Sequence, residues 1–271
     1  MKSIGQENER AAIITGAGSG LGRAIAKELV GAGIRCVITG RRRAALEQTA
    51  DMIPGDRSRV LVVPGDVTVA PDRARILAEC LGAFARADIL VNNAGTSNAA
   101  PLLEYGEEEW RRVMNTNLDS CFFMAKTVIP SMRDQGWGRI INIASVYSTL
   151  VVNNDLYGDL LPGANRNRSG PTRQPAYHAS KGGLLTLTRE LAVAVARWGI
   201  TVNAISPGMF MTELSSRVVN AKVKKKLESM TPLGRFGEPH EIGHAVSFLA
   251  SDKADFITGV DLRVDGGWSI W

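Results

Sequence analysis

Residues 11–22 read AAIITGAGSGLG. The first five, Ala11–Thr15, are small or β-branched and form a short apolar run of the kind that makes a strand buried on both faces. A glycine turn follows at once: Thr15-Gly16-Ala17-Gly18-Ser19-Gly20-Leu21-Gly22. A helix-period run then begins near residue 20. A glycine-rich turn between a strand and a helix is the setting of a dinucleotide site. Glycine lets the backbone approach a pyrophosphate closely, and the helix end points free N–H groups and its positive dipole at the phosphates. The spacing is Gly16-x-x-x-Gly20-x-Gly22 and not GxGxxG, because Arg23 occupies the position a third glycine would need.

Outward from this turn the same rhythm repeats. Strand-like runs recur at 36–39, 60–63, 89–92, 140–144, 201–205 and 260–264. Helix-period stretches lie near 20–32, 43–52, 71–85, 107–135, 176–198 and 239–250. Alternating strands and helices imply right-handed crossovers and a parallel sheet. The expected fold is α/β: one doubly wound domain over 1–271, with about seven parallel strands and helices on both faces. Two segments break the rhythm. Residues 148–175 are rich in Gly, Asn, Pro and Arg and read as a long loop, a feature that is usually functional. Residues 212–231 form a polar helical stretch with Lys222, Lys224, Lys225 and Lys226, read as a solvated face. Residues 1–10 read as a polar tail.

The 271 residues are 45% hydrophobic and 22% charged, which excludes a disordered or fibrous chain. Cys36, Cys80 and Cys121 are odd in number and scattered, so no disulfide framework is expected and a reducing, cytoplasmic setting fits. No apolar run is long enough for a membrane helix. The net charge of +5 is mild and suits an anionic cofactor. Nucleic-acid binding is not expected, since the lysine run lacks interleaved aromatics.

Two further groups carry chemistry. The second strand ends Gly40-Arg41-Arg42-Arg43, with no carboxylate to hold a ribose 2′-hydroxyl. Arg41 can instead clamp a 2′-phosphate, so NADP(H) is the expected cofactor, with NAD(H) as the alternative. Tyr177 and Lys181 in YHASK are one helical turn apart and share a face. A phenol is too weak an acid to serve as a base at neutral pH, but a neighbouring ammonium and a cationic nicotinamide would favour its phenolate. Ser145 follows the fifth main strand and Asn92-Asn93-Ala94-Gly95 the fourth. Both sit at the sheet edge where open parallel sheets bind ligands.

With these motifs in order, the chain resembles the short-chain dehydrogenase/reductase family of Rossmann-fold oxidoreductases from about residue 10 to 267. The matching elements are TGAGSGLG at 15–22, Asp66-Val67, NNAG at 92–95, Asn117 in MNTNLDSCF, Ser145 in IINIAS, YHASK at 177–181, Pro207-Gly208 with Thr212, and VDGG at 264–267. The resemblance implies Tyr177 as general acid/base and Ser145 as a hydrogen-bond donor to the reacting oxygen. It implies that Lys181 tunes the phenol and binds the nicotinamide ribose, and that Asn117 is a proton-relay residue. For the cofactor it implies contacts from Gly16, Ser19, Gly20, Leu21 and Gly22 at the phosphates and from Asp66 and Val67 at adenine. Asn93, Ala94 and Gly95 would line the channel, and Pro207, Gly208, Phe210 and Thr212 would lie at the nicotinamide. It also implies a homodimer or homotetramer through helices near 107–135 and 181–198.

The chain departs from that pattern in two places. Many NADP-preferring relatives carry a basic residue just before the second glycine of the turn, where this chain has Ser19, so the NADP(H) expectation rests on Arg41 alone. Ser145 and Tyr177 are 32 positions apart, where relatives have about a dozen, so the 148–175 loop enlarges the edge of the site. Its Asn153, Asn154, Asp155, Asn165, Arg166, Asn167 and Arg168 would suit a sugar, polyol or sugar acid. A 3-oxoacyl thioester on an acidic carrier protein is the rival substrate, and a non-catalytic NADP(H) sensor the rival class. One motif points elsewhere. His240-Glu241-Ile242-Gly243-His244 matches the HExxH zinc pattern, but no His or Glu follows residue 244 to complete a metal site. The apolar phase runs through Ile242, Ala245, Val246 and Leu249, so the histidines are read as surface residues and no metal is expected.

Overall fold

The computed structural model describes residues 10–153, 168–212 and 219–271. The tail at 1–9, the middle of the enlarged loop (154–167) and the start of the 212–231 stretch (213–218) lie outside the described residues, and with them Asn154, Asp155, Asn165, Arg166 and Asn167. Seven strands make one parallel sheet. They are β1 (Ala11–Thr15), β2 (Arg35–Gly40), β3 (Val60–Pro64), β4 (Ile89–Asn92), β5 (Gly138–Ile143), β6 (Ile200–Pro207) and β7 (Asp261–Val264). Their order across the sheet is β3-β2-β1-β4-β5-β6-β7, as the doubly wound reading requires. The order in which strands are added reverses between β1 and β4, and the crevice beyond their carboxyl ends is where such sheets take ligands.

The helices are α1 (Gly20–Gly31), α2 (Arg43–Asp51), α3 (Ala70–Phe84), α4 (Glu107–Met114), α5 (Ser120–Gln135), α6 (Pro175–Val195), α7 (Ala221–Ser229) and α8 (Pro239–Ala250). Successive strand residues point to opposite faces, which explains the unbroken apolar runs. Ile14, Ile38 and Ile141 meet Ile25 and Leu29 of α1 and Val246 and Leu249 of α8. Ile13, Val37 and Ile140 meet Met124 and Val128 of α5 and Leu191 and Val195 of α6. Helices α1 and α8 approach closely at Gly243, where an added Cβ would stand 2.9 Å from the Glu28 Cβ. The HExxH motif therefore lies on a helix whose inner face packs on α1, while His240 and His244 are exposed.

Two local features differ from the sequence reading. The helix expected over 107–135 is interrupted: residues Asn115–Asp119 form a π-turn between α4 and α5. Such a turn inserts one residue into the helical ladder and commonly marks a functional site. Here it brings Asn117 to full burial. The enlarged loop also has ordered ends. Thr172–Arg173 pair antiparallel with Ala100–Pro101. Leu102 N donates to Pro171 O at 3.0 Å, and Leu103 N to Ser169 O at 2.9 Å. Arg173 Nη1 donates to Val152 O at 2.6 Å, tying one end of the loop to the other.

Helix α7 carries the lysine run. Its Val223 and Leu227 are buried with Val152 and Phe236, Lys225 is exposed, and Lys224 pairs with Glu228. Among the described residues no helix is long and apolar enough to cross a membrane. The three thiols are buried and free, and burial pushes Cys80 up to about 12 and Cys121 up to about 11.

At the opposite edge of the sheet, Asp88 is fully buried. It accepts from Ala11 N at 2.8 Å and from Arg86 Nε and Nη2, both at 2.6 Å. Asp88→Ala would remove the acceptor of the buried Ala11 N–H and one partner of the half-buried Arg86 guanidinium. Urea unfolding should show a loss on the order of 1–3 kcal/mol.

Candidate active site

A cleft of about 680 Å³ opens beyond the carboxyl ends of β1, β4, β5 and β6. That is within the usual range for small-molecule and cofactor sites. Every catalytic and cofactor residue expected from the sequence lines it except Asn117, which stands behind its wall; of the loop residues expected at the substrate, Asn153 and Arg168 are described and do not line it.

The glycine turn leaves β1 and enters α1. Gly16 and Gly20 have φ of +65° and +53°, a region L side chains avoid. At Gly22 a Cβ would fall 2.4 Å from Gly16 O. The turn is stitched to β4. Thr15 Oγ1 accepts from Asn93 N and Ala94 N, both at 2.9 Å, and Asn93 Nδ2 donates to Thr15 O and Gly16 O at 2.9 and 3.1 Å. Ser19, the N-cap of α1, makes no side-chain cap bond, and the first turn holds no acidic residue. The helix end thus keeps its positive character toward the cleft. A backbone cradle that a Cβ would fill, at an uncapped helix N-terminus, fits a dinucleotide pyrophosphate. Arg41 and Arg42 are exposed and line the cleft just beyond the end of β2. Asp66 uses Oδ1 to accept from Thr68 N and Oγ1 at 2.9 and 2.7 Å, which orders the turn after β3.

Ser145 follows β5, is buried, and accepts from Tyr147 N at 3.1 Å. Tyr177 and Lys181 occupy the first two turns of α6, and the Lys181 Nζ lies 5.9 Å from the Tyr177 ring centre. Lys181 is buried and donates to Ile143 O at 2.6 Å. Burial holds its ammonium below the ordinary lysine range. The Tyr177 phenol is pushed up by burial, and its hydrogen bond with Ser145 brings it only part of the way down. The expected lowering of the phenol by Lys181 is not seen in this pocket: desolvation opposes charge on both groups, and only Ser145 draws the phenol down.

Asn117 is held on three sides. Its Oδ1 accepts from Thr96 N at 2.8 Å, and its Nδ2 donates to Thr96 O at 2.8 Å and Ser180 Oγ at 3.1 Å. Ser180 Oγ donates to Tyr177 O at 2.8 Å. A Cβ on Gly95 would stand 3.6 Å from Asn117 Oδ1 and 3.8 Å from Lys181 Nζ, so the two groups converge on that glycine.

Sequence reasoning missed Thr96, Arg112, Tyr147, Gln174 and Met209, which also line the cleft. Arg112 donates to Thr96 Oγ1 at 2.8 Å and pairs with Glu109. No sequence signal marked it, because its direction depends on the π-turn that follows. Gln174 could have been found, as the N-cap of the helix that carries Tyr177. His240 and His244 lie outside the cleft, and no cluster of metal-ligating side chains occurs among the described residues.

This cleft, at the switch point of an open parallel sheet, defines a dinucleotide-dependent oxidoreductase of the Rossmann type. Comparison with known proteins makes the assignment narrower. Residues 10–157 match the family described as short chain dehydrogenase, and residues 164–269 match the one described as Enoyl-(Acyl carrier protein) reductase. The chain belongs to the short-chain dehydrogenase/reductase family. It is 34% identical to the 3-oxoacyl-(acyl-carrier-protein) reductase FabG of Vibrio cholerae, over 95% of this chain and 96% of that one. It is 36% identical to the galactitol 2-dehydrogenase (L-tagatose-forming) of Cereibacter sphaeroides, over 96% and 95% of the two chains. Among solved structures, an actinorhodin polyketide ketoreductase variant with NADPH superposes with a TM-score of 0.86 at 28% identity, over 98% and 99% of the two chains.

Proposed function

We propose that the protein is an NADP(H)-dependent oxidoreductase acting on a secondary alcohol or the corresponding ketone. The observation that carries this reading is the meeting of the Tyr177 phenol with the Ser145 hydroxyl at the cleft, one helical turn from Lys181. When bound, the dinucleotide would supply or accept the hydride and, in its oxidised form, a cationic ring beside the phenol. Ser145 holds the substrate oxygen by a hydrogen bond. In reduction, Tyr177 Oη gives that oxygen a proton as the carbonyl carbon gains the hydride; in oxidation, the phenolate takes the proton back. Lys181 would restore the Tyr177 proton, and Asn117, which converges with Lys181 on Gly95, would hold the water that links Lys181 to solvent. Asn93–Gly95 would wall the cofactor channel, and Pro207, Gly208, Phe210 and Thr212 of the cleft would hold the nicotinamide. An intact acid–base set argues against a sensor that binds without turnover.

NADP(H) is favoured by Arg41, whose planar guanidinium stands exposed at the cleft where NAD-preferring sites place a carboxylate. Arg41→Glu should lower the NADPH-to-NADH ratio of kcat/KM by about 10–100-fold, equivalent to roughly 1.4–2.8 kcal/mol. An unchanged ratio would remove Arg41 from the site.

For the substrate, a sugar, polyol or sugar acid is favoured by polar groups that line the same cleft as Ser145 and Tyr177: Thr96, Ser97, Arg112 and Gln174. The likeness to a galactitol dehydrogenase supports the same class. A second reading, a 3-oxoacyl thioester, rests on one observation. Tyr147 and Met209 of the cleft pack on the apolar cluster of Val152, Val223, Leu227 and Phe236. Turnover of polyols and sugar ketones compared with acyl thioesters, with each nucleotide, decides between them. The site is expected to work in a homo-oligomer of two or four chains, which sedimentation would test.

A further inference from the structure

We infer that Arg23 and Thr49 are positioning residues for the cofactor: they tie the phosphate turn to α2 and thereby aim the turn's N–H groups into the cleft. This rests on the reading that the 15–22 turn and Arg41 hold NADP(H). Arg23 projects from the first turn of α1. Its Nη2 donates to Gly18 O at 2.8 Å and to Gln48 Oε1 at 3.1 Å, and its Nε donates to Thr49 Oγ1 at 3.0 Å. Thr49 is fully buried, and its hydroxyl lies 3.0 Å from both Ala17 O and Ala45 O. Two consecutive carbonyls of the turn are therefore held, Ala17 O by Thr49 of α2 and Gly18 O by Arg23 of α1, whose guanidinium is itself anchored on Gln48 and Thr49 of α2.

In a trans peptide the N–H of one residue points opposite to the preceding C=O. Holding Ala17 O and Gly18 O toward α2 turns the N–H groups of Gly18 and Ser19 the other way. Both residues line the cleft. Glycines on either side would otherwise leave these peptides free to rotate, and a ligand would have to order them on binding. The same contacts fix the distance between the turn and the residues that precede α2. Ala17 N donates to Thr39 O at 3.1 Å, two residues before Arg41. At Gly18 a Cβ would stand 3.1 Å from the Ala45 Cβ, so turn and helix are already in close contact. The pyrophosphate donors and Arg41 thus sit on one braced unit.

The test is fluorescence titration of NADPH and of NADH into the wild-type protein, Arg23→Met, Thr49→Val and Thr49→Ser, with the melting temperature of each measured without nucleotide. Arg23→Met and Thr49→Val should weaken both nucleotides about tenfold, because the shared pyrophosphate cradle is what loosens. Thr49→Ser, which keeps the hydroxyl, should bind within about twofold of wild type. A lowered melting temperature with unchanged Kd for both nucleotides would overturn the proposal and leave the brace a packing contact. Loss of NADPH binding alone in Arg23→Met would also overturn it, by making Arg23 a direct ligand of the 2′-phosphate. If Thr49→Val does not fold, Arg23→Met, at a half-exposed position, decides by the same criteria. A wild-type protein that binds neither nucleotide would overturn the underlying reading and the brace with it.

Discussion

Tyr177→Phe is expected to lower kcat by roughly 10²–10⁴-fold on any carbonyl the protein reduces, the usual worth of a positioned proton donor. NADPH should bind this variant as it binds the wild type, because the change removes one hydroxyl and leaves the glycine turn untouched. The pH dependence follows from the direction in which burial moves the phenol. Its pKa lies above the ordinary tyrosine value, so near neutral pH it is the protonated form that stands beside Ser145. Reduction needs that form, so its kcat should be level through neutral pH and fall as pH rises through the phenol's pKa. Oxidation needs the phenolate, and its kcat should rise over the same range. A variant that keeps wild-type turnover would remove Tyr177 from the chemistry. A reduction rate that climbs with alkaline pH would contradict the protonated-phenol starting point.

The second large effect is expected at Gly22. A methyl group there would lie 2.4 Å from Gly16 O and 2.5 Å from Asn93 Nδ2, so the Gly16–Asn93 bond that joins turn to strand must open. Overpacking of this kind costs about 1–3 kcal/mol in stability. The larger consequence is for binding, since the displaced carbonyl belongs to the phosphate cradle. NADPH affinity of Gly22→Ala should fall by at least about tenfold, or 1.4 kcal/mol. Gly31→Ala at the other end of α1 provides the control, because a Cβ there meets nothing within 4 Å. Similar NADPH affinity in the two variants would show that the cradle does not hold the nucleotide.

Much of this arrangement could be read from the chain. The run Ala11–Thr15 is a strand with those limits, and Ile89–Asn92 likewise. Both were legible because strands buried on two faces are uniformly apolar and end abruptly at glycine or asparagine. The order of the motifs placed Ser145, Tyr177 and Asn93 at one sheet edge because parallel topology leaves no other choice. What escaped depends on contacts between segments remote in sequence. The π-turn at Asn115–Asp119 has no periodicity of its own and is specified by what Asn117 meets across the fold, Thr96 and Ser180. The brace of Arg23 and Thr49 joins two helices, each of which looks ordinary in isolation. The upward shift of the Tyr177 phenol follows from its burial, which the spacing of Tyr177 and Lys181 does not encode.

The short ladder of Ala100–Pro101 with Thr172–Arg173 has a consequence for how this site can diversify. It braces the returning end of the insertion just before the helix that bears Tyr177, and Arg173 closes the neck by bonding Val152 O at the other end. With the neck shut, chain can be added or removed beyond it while the register of Tyr177 against Ser145 stays put. Loop-closure entropy rises by only about 0.6 kcal/mol for each doubling of length. The neck is accordingly a graft point: the segment beyond it can be exchanged as a cassette, by descent or by design, with the frame that carries Ser145 and Tyr177 unaltered.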